Sequence, residues 1–338
     1  MSKKIAFIDH SFHKKTKSSN FFLDLLKDKY TIDIYYDTKW EDKKVLDFDS
    51  LNQKNYSIII FWQINYNIKF LKKLKCKNII YIPMYDDFIA NTFTPFYWKQ
   101  FNSIKFISFS KNLHDYLHNK GLDSLYIKYF PEINKSSKKI DKKNLTAFFW
   151  YRIEAINWEK IKELISPNSF KKIYIQNHPD PNQKKLQIFK EDIEKYNIEI
   201  IDWFESKDEY TNLLKSIDVY FAPRIYEGIG LSFLELMKQG KYIVAFDKPT
   251  MNEYIIHKKN GFLYSNIINN KVDFSNINQI EIFKMNQKYY DEYKKNKKEI
   301  YTLIESSFRS ENIKRDYLYM YIDKLFKFPS RVFRKIFK

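Results

Sequence analysis

Short runs of β-branched and aromatic residues alternate with helical patterns along most of this 338-residue chain. Such alternation is typical of βαβ units, which pair their strands in parallel and cover both faces of the sheet with helices. We therefore predict an α/β fold built on doubly wound parallel sheets. In the first part of the chain the predicted strands are 5–9, 31–36, 57–62, 78–82 and 105–109, and the predicted helices are 20–29, 67–75 and 112–119.

One polar segment interrupts this alternation. Residues 131–144 read PEINKSSKKIDKKN and have no hydrophobic period, which is typical of a linker. The alternation restarts with predicted strands at 146–151, 171–176, 198–203, 218–222 and 242–246 and helices at 158–165, 184–196, 207–217, 231–239 and 280–306. We predict an N-terminal Rossmann-like domain at 1–135, a linker at 136–144, a C-terminal Rossmann-like domain at 145–310 and a helical tail at 311–338.

Composition excludes several classes of protein. The chain is 44% hydrophobic and 19% aromatic, far too apolar to remain disordered. Its one cysteine, Cys76, allows no internal disulfide and no thiolate zinc site. No run of 18 apolar residues is present, and the apolar stretch after the basic N-terminus is too short for a signal peptide. These features favour a cytoplasmic protein.

Glycine marks the functional segment. An ordinary chain of this length carries about 24 glycines, whereas this one has five. Four of the five lie in the 34 residues from Gly228 to Gly261. A sequence that avoids glycine keeps it where a positive φ or a close backbone approach requires it.

The same segment predicts a phosphate site. A strand ends at Pro223, a loop follows, and a helix begins near Leu231, so unpaired amide groups face outward at the carboxyl edge of the sheet. Glu227 in the loop and Glu235 in the helix are eight residues apart. Carboxylates at this spacing can accept hydrogen bonds from the hydroxyls of one sugar-containing ligand.

Residues 218–264 resemble the donor-binding signature of the retaining family 4 (group 1) glycosyltransferases, which have the GT-B fold. In that signature two glutamates eight residues apart bracket a Gly-aromatic-Gly-Leu loop. The matching features are Pro223, Tyr226 before the first glutamate, Leu234-Glu235 and the Asn260-Gly261-Phe262-Leu263 run. The resemblance covers about 47 of the 338 positions, and it implies two Rossmann-like domains with a cleft between them.

The resemblance also implies roles for individual residues. Glu235 would bind the donor ribose and Glu227 the transferred sugar, while Arg152, after the first strand of the second domain, would bind the diphosphate. The lysine that the family places five residues after this arginine is Asn157 here, and the nearest lysine is Lys160. The loop and helix residues that complete the implied donor site are Gly228, Ile229, Gly230, Leu231 and Ser232.

The acceptor side departs from the family pattern. The Gly-rich turn after the first strand is replaced by DHSFHKKTKSSN, which leaves His10, His13 and Lys14 as polar candidates. The family's His-acidic pair falls at Tyr85-Asp86, with tyrosine in place of histidine. Asp86 is the expected acidic group there, and with Glu227 and Arg152 it completes the predicted catalytic set.

Three other patterns have simpler interpretations. Asp47 and Asp49 have the spacing of metal-dependent sugar transferases but follow no clear strand, and His114 and His118 lack further ligands on their helix. We predict no metal site. Residues 176–180, Gln-Asn-His-Pro-Asp, follow a strand; we expect a capped turn there, with a position lining the cleft as the alternative.

The predicted function is transfer of a sugar from a nucleoside diphosphate donor, a UDP- or GDP-sugar, to an acceptor hydroxyl. We expect retention of configuration, no metal and no cofactor, and a role in the synthesis of cell-surface glycans. The open alternatives are a sugar-nucleotide epimerase or hydrolase of the same fold, a non-catalytic sugar-nucleotide sensor, and a basic nucleic-acid-binding protein. The net charge of +18 favours polyanions of any kind, but no nucleic-acid motif is present.

The C-terminus predicts an anionic membrane surface as a partner. Residues 324–338 read KLFKFPSRVFRKIFK, with six basic residues and no acidic one. On a helix after Pro329 the apolar residues form one stripe and the cations mostly occupy the other side, as in interfacial helices. We expect the protein to work on the inner face of the cytoplasmic membrane, on a glycan or lipid-linked acceptor. The stripe is Val332, Phe333, Ile336 and Phe337, and the cations are Arg331, Arg334, Lys335 and Lys338.

Overall fold

A computed structural model describes residues 3–42, 46–90, 96–133, 138–268, 270–308 and 318–326. The chain divides into two compact units. The first unit combines Met1–Ile127 with Asn296–Lys338, and the second is Lys128–Lys295. Each unit contains one six-stranded parallel sheet, as the strand-helix alternation predicts.

The first unit has the strand order β2-β1-β3-β4-β5-β6. Its strands are β1 (Lys4–His10), β2 (Thr31–Asp37), β3 (Ile58–Trp62), β4 (Ile79–Ile82), β5 (Lys105–Ser108) and β6 (Asp123–Tyr126). Its helices are α1 (His13–Thr16), α2 (Asn20–Lys27), α3 (Lys39–Asp42), α4 (Phe48–Gln53), α5 (Ile68–Leu71), α6 (Tyr85–Ala90) and α7 (Lys111–Asn119), with a 3₁₀ turn at Trp98–Phe101.

The second unit has the strand order β12-β11-β10-β7-β8-β9. Its strands are β7 (Thr146–Tyr151), β8 (Lys172–Asn177), β9 (Ile198–Ile201), β10 (Val219–Phe221), β11 (Tyr242–Phe246) and β12 (Gly261–Tyr264). Its helices are α8 (Trp158–Leu164), α9 (Lys190–Lys195), α10 (Lys207–Ser216), α11 (Leu231–Met237) and α12 (Met251–Tyr254), with a 3₁₀ turn at Phe274–Asn276. Helix α13 (Gln279–Phe308) begins here and ends in the first unit.

The sequence explains where many of these elements begin. Side chains with a short polar group cap helices at the positions where the hydrophobic period starts, and each accepts hydrogen bonds from amides of the first turn. The strands between them are buried aliphatic and aromatic runs, as expected for parallel sheets covered on both faces. The capping residues are Asp47, Asn67, Ser110, Asn157 and Ser206.

The domain division differs from the predicted one at the C-terminus. The predicted second domain runs to residue 310, whereas the last part of α13 belongs to the first unit. The Tyr30 hydroxyl donates to Glu305 at 2.9 Å, and the Tyr301 hydroxyl donates to the Leu25 carbonyl at 2.7 Å. Residues 318–326 are helical, and Met320 is buried in the core of the first unit. These long-range contacts, which no local pattern contains, return the chain to its first sheet.

The predicted linker also differs. Residues 138–144 belong to the second unit rather than standing between units. Ile140 is buried in the core of that unit, and its amide donates to Gln279 at 3.1 Å. The buried Ile140 side chain and several hydrogen bonds, including those of Lys138 and Lys142, attach this polar segment to the second unit.

Some predicted spans need correction. The helix predicted at 184–196 is confined to α9, because Asn177 makes two hydrogen bonds with the backbone of Leu186 and fixes the preceding segment in a non-helical form. Strand β6, helices α1, α3, α4 and α6, and strand β12 were not predicted as elements. Within the described ranges, no helix is both long and apolar enough to cross a bilayer.

A buried lysine supports the amino edge of the second sheet. Lys241 is fully buried, and its ammonium group donates to the Lys215 carbonyl at 2.7 Å and the Ile217 carbonyl at 2.6 Å, at the end of α10. Burial lowers the pKa of Lys241 to about 8, against the opposing attraction of Asp218. The unfolded chain holds this proton up to a pH near 10.4.

We expect this lysine to make stability rise with pH. Between pH 8 and 9.5 the folded protein releases a proton that the unfolded chain keeps, so the free energy of unfolding rises by about 1 to 2 kcal/mol. Chemical denaturation across this range measures the slope. Lys241→Met removes this contribution, and Lys172→Met, which alters a partly exposed lysine of the same sheet, is the control. Equal slopes for wild type and Lys241→Met would contradict the prediction.

Candidate functional site

The second sheet changes direction of growth between β7 and β10. From β7 the chain adds β8 and β9 on one side and then returns to place β10 on the other, which is the strand order of the dinucleotide-binding fold. Ligands of open α/β sheets bind outside the carboxyl ends of the strands at this switch point. In this register Phe149 of β7 lies beside Phe221 of β10. Arg152 lies three residues after Phe149, and Arg224 lies three residues after Phe221, so the register brings the two arginines to neighbouring positions.

The two arginines share one carboxylate. Asp180, which follows β8, accepts from Nε and Nη2 of Arg152 at 2.7 and 2.5 Å and from Nη2 of Arg224 at 2.5 Å. The amide of Asp180 also donates to the Arg152 carbonyl at 2.9 Å. Of the two interpretations of residues 176–180, the structure therefore favours a position beside predicted site residues. Neither Arg224 nor Asp180 was predicted as a site residue.

Aromatic side chains lie next to this cluster. The Arg152 guanidinium lies 4.5 Å from the ring centroid of Trp150, and the indole N–H of Trp150 donates to the His178 carbonyl at 3.0 Å. The His178 ring lies 4.5 Å from the ring of Trp203, whose side chain is 53% exposed. An exposed aromatic surface thus lies near the arginine pair, and no local sequence pattern predicts it.

Gly230 fixes the loop that precedes α11. It has φ 79° and ψ 41°, a left-handed conformation at the position where the helix begins. A Cβ atom at Gly230 would lie 1.8 Å from Cε1 of Phe233, so no side chain fits without a shift of that ring. Both the backbone conformation and the lack of space therefore explain why a chain with few glycines keeps one at this position. Gly228 and Ile229 are buried beside it.

The two predicted glutamates lie on either side of this turn. Glu227 is partly buried in the loop, and its amide donates to the Pro249 carbonyl at 3.2 Å. Glu235 lies one turn into α11, where its carboxylate is 46% exposed and pairs with Lys238 at 2.5 Å. Leu231 and Ser232 are partly exposed on the same helix, whereas Phe233, Leu234, Leu236 and Met237 are buried.

Two tyrosines of the second unit lie close enough to several predicted site residues for those residues to influence their pKa values. Burial raises the pKa of Tyr210 to about 12, with Arg152 opposing the shift and Glu235 adding to it. Burial also raises the pKa of Tyr220, opposed by a hydrogen bond from Ser232 and reinforced by Glu227. Arg152, Glu227, Ser232 and Glu235 therefore act electrostatically on one pair of side chains.

The remaining donor candidate, Lys160, has other contacts. Its ammonium group donates to Glu163 at 2.9 Å and to the Asn266 carbonyl at 3.2 Å. Asn157, which occupies the position of the family's lysine, caps α8 by accepting from the Lys160 amide at 3.1 Å. None of these partners is another predicted donor residue.

In the first unit a buried carboxylate, Asp9, contacts the ring of His13 and the backbone amide of His10. Asp9 accepts from the Ser19 hydroxyl at 2.5 Å and is paired with Nδ1 of His13 at 2.5 Å. His10, the last residue of β1, is buried, and this burial lowers its pKa, with His13 adding to the effect. The Lys14 ammonium lies 4.6 Å from the ring centroid of Tyr36. Asp9 was not predicted to take part.

Tyr85 and Asp86 begin the helix that follows β4. Both are partly exposed, and Asp86 accepts from the Asp87 amide at 3.0 Å. The Tyr85 ring packs 6.1 Å from that of Phe88. Asp86 therefore lies at the carboxyl edge of the first sheet, where the resemblance implies an acidic group.

The patterns that were set aside have structural roles. Asp47 caps α4 by accepting from the amides of Asp49 and Ser50. The rings of His114 and His118 stack 5.7 Å apart. In the part of the chain that the structure describes, no three His, Cys, Asp or Glu side chains are grouped so as to hold a metal ion.

Comparison with known families now identifies the class of the second unit. Residues 180–300 match the family described as Glycosyl transferases group 1. This segment, about a third of the chain, is thus similar to a group 1 glycosyltransferase domain. The matched segment contains Arg224, Glu227 and Glu235, and the match supports glycosyl transfer as the activity.

Solved structures share the fold at low sequence identity. The lipopolysaccharide outer core galactosyltransferase WaaB is 14% identical with a TM-score of 0.62, covering 90% of this chain and 99% of its own. Anabaena HepE in complex with UDP is 13% identical at 0.58, covering 90% and 100%. Sucrose-phosphate synthase from Thermosynechococcus elongatus is 10% identical at 0.64, covering 91% and 100%. A comparison with curated proteins finds no match.

These likenesses confirm the predicted fold class. The chain has the α/β GT-B fold with two Rossmann-like sheets. The family match over residues 180–300 supports an enzyme of the glycosyltransferase class. The predicted roles of the individual site residues stay predictions.

Proposed function

We propose that this protein transfers a sugar from a nucleoside diphosphate sugar to an acceptor hydroxyl with retention of configuration and without a metal ion. One observation carries the proposal. Arg152 follows β7, and the Gly230 turn follows the paired strand β10 with Glu227 before it and Glu235 after it, so all of these residues lie beyond the carboxyl ends of two adjacent strands at the switch point. This combination suits a ligand with an anionic centre between two groups of hydroxyls.

The proposed chemistry assigns each part of the donor to a residue. Arg152 and the amides of Gly230, Leu231 and Ser232 bind the diphosphate, Glu235 accepts from the ribose hydroxyls, and Glu227 contacts the transferred sugar. The bond from the sugar anomeric carbon to the diphosphate oxygen breaks, the acceptor oxygen bonds to that carbon, and the proton of the acceptor hydroxyl passes to the departing diphosphate. Positioned donors stabilise the charge that develops on the leaving oxygens.

The solved structures of similar fold support a donor that carries uridine diphosphate. HepE has been solved with UDP-glucose at a TM-score of 0.54, and the pneumococcal O-GlcNAc transferase GtfA with UDP and GlcNAc at 0.52. A UDP-sugar is thus our first choice and a GDP-sugar the second. WaaB is a lipopolysaccharide galactosyltransferase, which supports a role in cell-surface glycan synthesis.

We expect the two glutamates to affect different steps. Glu235→Ala should weaken UDP or GDP binding at least about tenfold, because two charge-assisted hydrogen bonds are lost. Glu227→Gln should lower turnover more than affinity, because it contacts the sugar that moves. Isothermal titration and a transfer assay measure the two effects, and Glu199→Gln, an exposed carboxylate of β9, is the control. Wild-type transfer by both site variants would refute the assignment.

The same assay separates the remaining alternatives. Release of free sugar without transfer would indicate a hydrolase, and binding without turnover would indicate a sensor.

We expect the transfer activity to persist in excess chelator. Loss of activity that manganese or magnesium restores would contradict the metal-free proposal. Asp86→Asn should reduce transfer more than donor affinity, and unchanged transfer would leave Asp86 without a role at the site.

We also propose that the basic C-terminus holds the enzyme on the inner face of the membrane, close to a lipid-linked or other glycan acceptor. Its stripe and cations at positions 331–338 lie outside the described residues. At about 1 kcal/mol for each basic residue near an anionic surface, six give reversible attachment.

Liposome sedimentation tests this attachment. The full chain should bind vesicles that contain anionic lipid, and a chain ending at Asp323 should bind them far more weakly. Neutral vesicles provide the control for purely apolar binding. Equal sedimentation of the two chains with anionic vesicles would contradict the proposal.

A further inference from the structure

We infer that Arg224 is the second cation of the donor site and that Arg152 and Arg224 together bind the diphosphate. This inference rests on the proposed function and names a residue of the same site. It concerns a position that the resemblance left unfilled, since Asn157 stands where the family has a lysine and the nearest lysine is Lys160.

Neither Asn157 nor Lys160 provides the missing cation. Asn157 serves as the cap of α8, a role that its short polar side chain fulfils and a lysine does not. Lys160 is held by a carboxylate of its own helix, Glu163, and by the backbone carbonyl of Asn266. Its ammonium group therefore already has two partners, and neither is a predicted donor-site residue.

Strand register places Arg224 where a second cation is needed. β7 and β10 are neighbours and pair in parallel with Phe149 beside Phe221. The first residue beyond β7 is Arg152, and its counterpart beyond β10 is Arg224. Both side chains thus leave the sheet at the switch point, on adjacent strands, where open α/β sheets bind their ligands.

Asp180 holds the two guanidinium groups together without neutralising both. It accepts from two N–H groups of Arg152 and one of Arg224, whereas each guanidinium has five N–H donors. The three side chains carry a net charge of about +1. Each arginine side chain is 28% exposed, so its remaining donors are within reach of a ligand from solvent.

This arrangement fits a diphosphate better than a single phosphate. A guanidinium is a planar fork that binds phosphate oxygens in pairs, and two forks fixed on one carboxylate can serve two linked phosphoryl groups. Asp180 acts here as a positioning residue. The competing interpretation is an ion cluster that only fastens β7, β8 and β10 together, which predicts no effect on ligand binding.

The test is isothermal titration of the full chain with UDP, GDP, inorganic pyrophosphate and uridine. Arg224→Gln should lose about tenfold or more in affinity for pyrophosphate and for whichever diphosphate binds the wild type, since charge-assisted hydrogen bonds are removed. Uridine, which has no phosphate, should bind both proteins equally. Arg152→Gln should show the same pattern, and Lys172→Met, on the same sheet, should bind as wild type.

The outcomes separate the inference from the proposed function. Wild-type binding of UDP or GDP with an equal affinity in Arg224→Gln overturns the inference and leaves the function standing. If the wild type binds none of the diphosphate probes, the donor proposal fails and the inference fails with it. Should Arg224→Gln not fold, Arg224→Lys keeps the charge and removes the fork. A several-fold weaker binding of UDP or GDP by that variant supports the inference, and unchanged binding overturns it.

Discussion

The parallel pairing of β7 with β10 is the constraint on which the candidate site depends. Two devices hold this pair in register. At the amino edge, Asp218 accepts from the amide of Thr146 at 2.9 Å and from its hydroxyl at 3.0 Å. At the carboxyl edge, Asp180 joins Arg152 and Arg224. A slip of one residue would reverse the faces of every side chain on the strand, so the register also decides which groups meet at the site.

Burial gives the site its electrostatic character. Tyr210 and Tyr220 belong to the aromatic residues of the second unit, and burial raises the pKa of both phenols. Charges beside such a buried region act more strongly on one another than they would in water. The net charge of +18 acts in the same direction over a longer range, since it attracts anionic ligands of any kind. Specific recognition must then come from the few groups fixed at the switch point.

Local sequence patterns were enough to predict the two sheets and the turn before α11. The alternation of strands and helices was enough for two parallel sheets, and the glycine cluster marked the turn at Gly230. Local patterns contain no information on which distant residues meet, and the family resemblance assigned no role to Arg224. Arg152 and Arg224 are 72 positions apart and come together only through strand order. The attachment of α13 to the first unit likewise depends on Glu305 meeting Tyr30, a contact that no periodicity contains.

The central claim is that the second unit binds a nucleoside diphosphate sugar, and thermal unfolding with a panel of sugar nucleotides tests it most directly. A ligand present at about 100 times its dissociation constant adds roughly 2.7 kcal/mol to the free energy of unfolding. The account predicts that a UDP- or GDP-sugar raises the melting temperature of the wild type and has a much smaller effect on Glu235→Ala. Melting temperatures unchanged by every sugar nucleotide in the panel would contradict it.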